Sequence, residues 1–250
     1  MLIKQLAQMI DHAILHPTMT DPDIKEGCNL AMAYGVASVC VKPYAVNLAS
    51  KQLLGSNVSV GTVVGFPHGS NSTELKLRET EQCLLDGASE IDMVVNVGKV
   101  LSEDWSYVHS EIRDIYVVVK NHHALLKVIF ENDFLPTDLY KIKLCEICNT
   151  IGVDFIKTST GFGMVKENDG KYNYRGATEY DLKLMRKHAI DSVQLKASGG
   201  IKTLEDMQKS IELGATRIGT SSTQNILNDA SLKYGENKIS FNIGKELKGY

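Results

Sequence analysis

The chain is predicted to fold as a single parallel (β/α)8 TIM barrel, and three observations carry that prediction. Apolar, β-rich segments recur at intervals of about thirty residues, each followed by a stretch of helical period, the pattern of repeated βα units. The strand segments are near-continuous apolar runs, as expected of a parallel sheet covered on its outer face by helices. Three helices end in the same phrase, a glycine, a small residue and then a strand: Gly87-Ala88-Ser89, Gly152-Val153-Asp154 and Gly214-Ala215-Thr216. An open doubly wound sheet is the second choice, but it usually carries a Gly-x-Gly-x-x-Gly turn after its first strand, and none is present. No linker interrupts the pattern, so residues 1–250 are assigned to one domain with a polar tail from about residue 228.

The elements follow in order. A strand near Met9–His12 leads to a helix over Asp21–Tyr34 that Gly35 would stop, and a strand over Ala37–Val41 leads to a helix over Tyr44–Leu54 that Gly55 would stop. Val58–Val64 reads as the third strand, with a helix over Thr73–Asp86, and Glu90–Asn96 as the fourth, with a helix over Asp104–Asn121. The fifth strand, Leu125–Glu131, is followed by a helix over Thr137–Asn149. Phe155–Thr158 is the sixth, and its helix is opened by Thr178 with Glu179 and Asp181 behind it and runs to His188. Val193–Ala197 precedes a helix that Thr203, Glu205 and Asp206 would start and Gly214 would end. Arg217–Thr220 closes the series, with a shorter helix after Ser222.

Composition narrows the function classes. The 250 residues are 43% hydrophobic and 23% charged with net charge −3, an ordinary soluble composition with no basic surplus for nucleic acid, so any phosphate must be held locally. No run of eighteen apolar residues is present, and Met1–Gln8 lacks an apolar signal core, so no membrane partner and a cytoplasmic address are expected. Five cysteines, an odd number, argue for reduced thiols. Cys145 and Cys148 form a C-x-x-C on a helix far from the active end, with no second pair to complete a zinc site, and are read as buried thiols; no metal is expected.

Two lysines within apolar strands point to amine chemistry: Phe155-Ile156-Lys157-Thr158 and Gln194-Leu195-Lys196-Ala197, each with a glycine-rich turn beyond it. A free lysine titrates near about 10.4, and a depression of about three units, about 4 kcal/mol, gives a useful neutral fraction at neutral pH. Burial and a neighbouring cation both act in that direction, and adjacent strands lie about 4.8 Å apart. Active sites of such barrels sit at the carboxyl ends of the strands, where Asp11, Cys40, Asp92, Asn96, Lys127, Glu131, Lys157, Thr158, Lys196, Ser198, Thr220 and Ser221 would converge. Alternation puts Asp92, Val94 and Asn96 on one face of the fourth strand and Lys127, Ile129 and Glu131 on one face of the fifth. The competing reading makes the lysines members of a core ion-pair network with Asp92, Glu131 and Asp11. Gly161, Gly199, Gly200, Gly219, Ser221 and Ser222, in loops after the last strands, fit a backbone phosphate cradle; the alternative is tight turns.

With these residues in view, the chain resembles the deoxyribose-phosphate aldolase family. The resemblance rests on Phe155-Ile156-Lys157-Thr158-Ser159-Thr160-Gly161-Phe162, Lys196-Ala197-Ser198-Gly199-Gly200-Ile201-Lys202-Thr203, Arg217-Ile218-Gly219-Thr220-Ser221, Gly176-Ala177-Thr178-Glu179 with Leu184-Met185-Arg186, Glu90-Ile91-Asp92-Met93-Val94-Val95-Asn96, Val64-Gly65-Phe66-Pro67 and Ile10-Asp11-His12. It implies a metal-free, cofactor-free class I aldolase that reversibly cleaves 2-deoxy-D-ribose 5-phosphate into acetaldehyde and glyceraldehyde 3-phosphate. It implies Lys157 as the Schiff-base residue, Lys196 as the cation that lowers its pKa and helps shuttle protons, and Asp92 acting with a water as acid and base. It also implies that Gly161, Gly199, Gly200, Gly219, Ser221 and Ser222 surround the phosphate; Asp11, Cys40, Lys127 and Thr158, at the strand ends, are expected to complete the substrate pocket.

The chain departs from the family at Ala13, His16, Asn132 with Asp133, and His68, so an aldolase for a related sugar phosphate or aldehyde is the alternative, and a noncatalytic sugar-phosphate-binding barrel a further one. Tyr250 reads as the end of a frayed tail; in some relatives a terminal tyrosine folds over the site. A homodimer through outer helices is the expectation for barrels of this kind, though no apolar stripe locates it.

Overall fold

Eight parallel strands close into a barrel in the computed structural model, which describes residues 3–167 and 169–235. They are β1 (Ile10–Ile14), β2 (Ser38–Val41), β3 (Ser59–Val64), β4 (Glu90–Val94), β5 (Leu125–Ile129), β6 (Phe155–Lys157), β9 (Gln194–Ser198) and β10 (Arg217–Thr220); β7 (Val165–Lys166) and β8 (Tyr172–Asn173) form a separate antiparallel hairpin. The barrel runs β1-β10-β9-β6-β5-β4-β3-β2 and back to β1, so the open doubly wound alternative is excluded. Outer helices are α2 (Asp21–Tyr34), α3 (Val46–Gln52), α4 (Thr73–Leu85), α6 (Trp105–Asn121), α7 (Asp138–Ile151), α8 (Glu179–His188), α9 (Leu204–Glu212) and α10 (Thr223–Tyr234), with short α1 (Ile3–Ala7) and α5 (Val97–Leu101) added.

Local chemistry sets these boundaries. Ser72, Asp104, Thr178 and Thr203 each accept a backbone N–H in the first turn of the helix they precede, and Gly35 and Gly152 end α2 and α7 in left-handed conformation. A continuous apolar cluster fills the space between strands and helices, including Ile91, Leu126, Ile156, Leu195 and Ile218 from the strands and Ile24, Ile112, Leu144, Met185 and Met207 from the helices. A second, smaller cluster stands at the barrel mouth: Leu15, Cys40 and Val63, flanked by Ala13, Phe66 and Phe162.

Several boundaries differ from expectation for identifiable reasons. β4 stops at Val94 because Asn96 is the N-cap of α5, accepting from Lys99 N at 3.2 Å. β5 stops at Ile129 because Glu131 adopts a left-handed conformation (φ 57°), which turns the chain out of the sheet. The last helix runs to Tyr234 and buries Ala230 and Ser231, so ordered structure extends beyond the expected start of the tail. Tyr250 lies outside the described residues. Among those described, no helix is long and apolar enough to cross a membrane.

Candidate active site

Inside the barrel, an ion-pair network joins β1, β4, β5, β6, β9 and β10. Alternation along β4 turns Glu90 and Asp92 inward to meet Lys127 of β5, whose Nζ is 2.6 Å from Glu90 Oε2 and 2.8 Å from Asp92 Oδ1. Arg217 Nη1 reaches Asp11 Oδ1 at 2.5 Å and Glu90 Oε2 at 3.0 Å, and Ser38 donates to Asp11 Oδ1 at 2.6 Å. Lys157 and Lys196 are direct register partners on β6 and β9. Both sit on one oxygen, Asp92 Oδ2, at 2.8 and 2.7 Å, and Lys196 also bonds Asp11 Oδ2 at 2.5 Å.

Counting charges explains the electrostatics. Four cationic side chains (Lys127, Lys157, Lys196 and Arg217) face three carboxylates (Asp11, Glu90 and Asp92), leaving one positive charge without its own partner. Lys157 bonds one shared carboxylate oxygen and nothing else in the network. Burial pushes its amine down, only partly offset by the attraction of Asp92, and the Lys196 cation pushes it further the same way. Lys196 and Lys127 are also penalised by burial, but their carboxylates outweigh it and raise both. The same lysines hold Asp11 and Asp92 well below the usual carboxylate range against their burial.

Above the network lies a small cavity of about 80 Å³ that opens to solvent at its mouth. Lys157 and Lys196 form its floor, beside the apolar wall of Ala13, Leu15, Cys40 and Phe162. The Cys40 thiol is pushed up to about 11 by burial and the nearby Asp92 charge, so it stays neutral. The opposite wall is backbone: Gly161, Gly199, Gly200, Gly219 and Ser221, with Lys202 at its edge. Gly219 is required here, because a Cβ would lie 2.7 Å from Ser198 Oγ and 3.1 Å from Lys196 Cε. The loops are tied to each other: Ser222 N donates to Thr220 Oγ1 at 2.9 Å, and Thr220 Oγ1 to Ile201 O at 2.7 Å.

Of the residues expected at the site, Lys157, Lys196, Asp11, Cys40, Gly161, Gly199, Gly200, Gly219 and Ser221 line this cavity. Asp92 does not reach it directly and acts through the two lysines above it. Three other expected pocket residues stand outside this lining. Lys127 is spent on Glu90 and Asp92 below the floor; Thr158 exchanges hydrogen bonds with Ser198 O and N at 2.8 and 3.0 Å, clamping β6 to β9; Ser222 begins α10 with its N–H already used. Asn96 and Glu131 also leave the mouth. Glu131 is buried against Thr160, accepting from its hydroxyl and its N–H, and burial pushes its carboxyl up to about 7.

The departures from family pattern fall unevenly. Ala13 lines the cavity and the His16 ring lies 6.5 Å from Phe162, whereas His68 is exposed and Asn132 turns away to Met185 Sδ at 3.3 Å. Cys145 and Cys148 are buried free thiols remote from this cavity, both pushed up by burial, Cys145 to about 12. Glu90 and Arg217 were not singled out from sequence although they complete the network; the alternation of Glu90 with Asp92 along β4 and of Arg217 with Gly219 along β10 was the available signal. Tyr174 and Phe162, on the two legs of the β7–β8 hairpin, also line the cavity unannounced.

Comparison with known proteins agrees with this geometry. Residues 5–229 match the DeoC/LacD family of aldolases. The chain is 43% identical over 230 residues to a deoxyribose-phosphate aldolase of Rhodopirellula baltica, covering 92% of this chain and 91% of that one. It is 44% identical to one of Caldanaerobacter subterraneus, covering 91% and 94%. Among solved structures, a putative deoxyribose-phosphate aldolase from Coccidioides immitis superposes with a TM-score of 0.84 at 36% identity, covering 92% of this chain and 87% of that one. The tetrameric deoxyribose phosphate aldolase of Aeropyrum pernix gives 0.79 at 29% identity, covering 94% of each.

Proposed function

This chain belongs to the DeoC/LacD family of aldolases, and from that premise we propose how its residues carry out the reaction. It is a lyase that reversibly cleaves 2-deoxy-D-ribose 5-phosphate to acetaldehyde and D-glyceraldehyde 3-phosphate through a lysine Schiff base. The observation that carries this reading is the lone position of Lys157: a buried amine at the cavity floor, in a network one carboxylate short of neutrality.

Neutral Lys157 attacks the C1 aldehyde of the open-chain substrate, and loss of water gives a protonated imine. Removal of the C3 hydroxyl proton then lets the C2–C3 bond break. Its electron pair flows into the imine as an enamine, and glyceraldehyde 3-phosphate departs. Proton addition at C2 and hydrolysis release acetaldehyde and restore the amine. A water in the cavity passes protons at the hydroxyl and at C2, with Asp92 acting on it through the two lysines it holds, while Lys196 remains charged and holds the local pKa of Lys157 down. The glycine wall with Ser221 holds the phosphate, with the Lys202 side chain lining the same cavity. The wall of Ala13, Leu15 and Cys40 keeps bulk water from the two-carbon fragment.

Incubation with acetaldehyde and borohydride followed by peptide mapping tests the assignment. A reduced two-carbon adduct on Lys157, absent from a folded Lys157→Ala variant that has lost turnover, is the expected result; an adduct elsewhere, or retained turnover in the variant, refutes it. We also propose a homodimer, tested by light scattering, with the tetramer of the Aeropyrum pernix relative as the competing outcome. A cytoplasmic location suits five free buried cysteines, and fractionation of native cells checks it.

A further inference from the structure

The segment between β6 and α8 carries the β7–β8 hairpin, whose strands pair with each other and not with the barrel. Both of its legs enter the cavity lining, Phe162 on the way out and Tyr174 on the way back. The returning leg is fixed at two points. Asp133 accepts Arg175 N at 2.7 Å through one carboxylate oxygen and Gly176 N at 3.0 Å through the other. One step on, Ala177 N donates to Gly199 O at 3.0 Å, and Gly176 lies so close to Gly199 that a Cβ on Gly199 would come within 3.0 Å of the Gly176 Cα. Tyr174 is therefore delivered to the glycine wall beside Gly199, Gly200 and Lys202, while the imine site lies with Cys40, Ala13 and Leu15.

We propose that Tyr174 is a specificity-determining residue whose phenol donates a hydrogen bond to the phosphate-bearing half of the substrate, and that Asp133 is the positioning residue that holds it there. The inference rests on the functional reading above. A phenol suits this place chemically: it donates to a phosphate oxygen without adding a charge to a site where Lys202 already supplies one. The pairing also gives Asp133 a physical reason, since two backbone donors of the hairpin are satisfied by its carboxylate alone.

The experiment compares cleavage of 2-deoxyribose 5-phosphate with that of unphosphorylated 2-deoxyribose by the full-length protein. Tyr174→Phe is expected to raise KM for the phosphorylated substrate about tenfold, the size of one hydrogen bond to a charged group, with kcat unchanged within about twofold and with 2-deoxyribose unaffected. Asp133→Ala is expected to raise the same KM, and the double variant to be no worse than the more impaired single one, because both act through one contact. A Tyr174→Phe enzyme with an unchanged KM, or one impaired equally on both substrates, overturns the inference while wild-type turnover leaves the aldolase reading standing. A wild type that cleaves neither substrate overturns that reading and this inference with it.

Discussion

Lys157 is set apart from its neighbours by how few carboxylates reach it. Lys127 is held by Asp92 and Glu90, Lys196 by Asp11 and Asp92, and Arg217 by Asp11 and Glu90, whereas Lys157 has only a share of one Asp92 oxygen. Its lowered pKa is thus a property of the charge count as much as of burial, and the count can be changed. Lys196→Leu removes one cation and leaves three facing three carboxylates, so protonated Lys157 becomes the balancing charge and its pKa rises. The acid limb of the kcat/KM profile, which follows appearance of the neutral amine, is expected to move to higher pH by about one to three units. An unmoved limb in a folded variant would show that the two lysines are not coupled. Much of this was legible in the sequence, because a lysine in the apolar run Phe155-Ile156-Lys157 is costly to bury unless a buried partner or a reaction uses it. The shared oxygen was not, since Asp92 lies 65 residues from Lys157 along the chain and only the barrel register brings them together.

At the scale of elements, the carboxyl end of β4 is fixed by a buried pair between two outer helices. Lys76 of α4 and Glu111 of α6 meet at 3.0 Å with both side chains fully buried; Lys76 donates to Val94 O at 2.8 Å and Glu111 accepts Asn96 N at 3.2 Å. Burial lowers the Lys76 amine and raises the Glu111 carboxyl, each shifted toward its neutral form despite the partner's attraction. Such a pair gives direction more than stability. Glu111→Leu, which strands the lysine, is expected to cost about 3–5 kcal/mol in urea unfolding, and Lys76→Met with Glu111→Leu to recover most of that loss. A double variant as unstable as the single one would contradict this. Sequence patterning gave both helices but not the pair, because a charged residue within a helix reads as solvent-facing until the partner helix is placed against it. The hairpin was missed for a different reason. Asp169-Gly170 between Val165 and Tyr172 is a turn signal, but its strands are two residues each, too short for alternation to register.

For the molecule as a whole, one network serves both closure of the barrel and the reaction. It ties β1 to β9 and β10 through Asp11, and β4 to β5, β6, β9 and β10 through Glu90 and Asp92, so the strands that meet at the seam and the strands that carry the amines share the same carboxylates. The eight-unit repeat made this architecture readable in advance, since each strand declares itself by its apolar run. Which inward charges pair with which depends on the stagger of the closed barrel, which no single segment encodes. A consequence for stability follows from the same charge count. A lysine whose folded pKa lies below its unfolded value weakens the folded state at all pH values below the unfolded pKa, because the unfolded chain holds the proton more readily. Lys157→Met fills nearly the same volume, removes the surplus cation and leaves Lys127, Lys196 and Arg217 matched with Asp11, Glu90 and Asp92. The variant is expected to be inactive and yet more stable than wild type at neutral pH by about 1–3 kcal/mol, with the gain shrinking as pH approaches the unfolded lysine pKa. Urea unfolding of both proteins at pH 7 and at about pH 10 measures it. A loss of stability in the methionine variant would mean that the shared Asp92 oxygen holds Lys157 more strongly than burial penalises it, and that the amine is kept neutral during the reaction by the substrate and not by the fold.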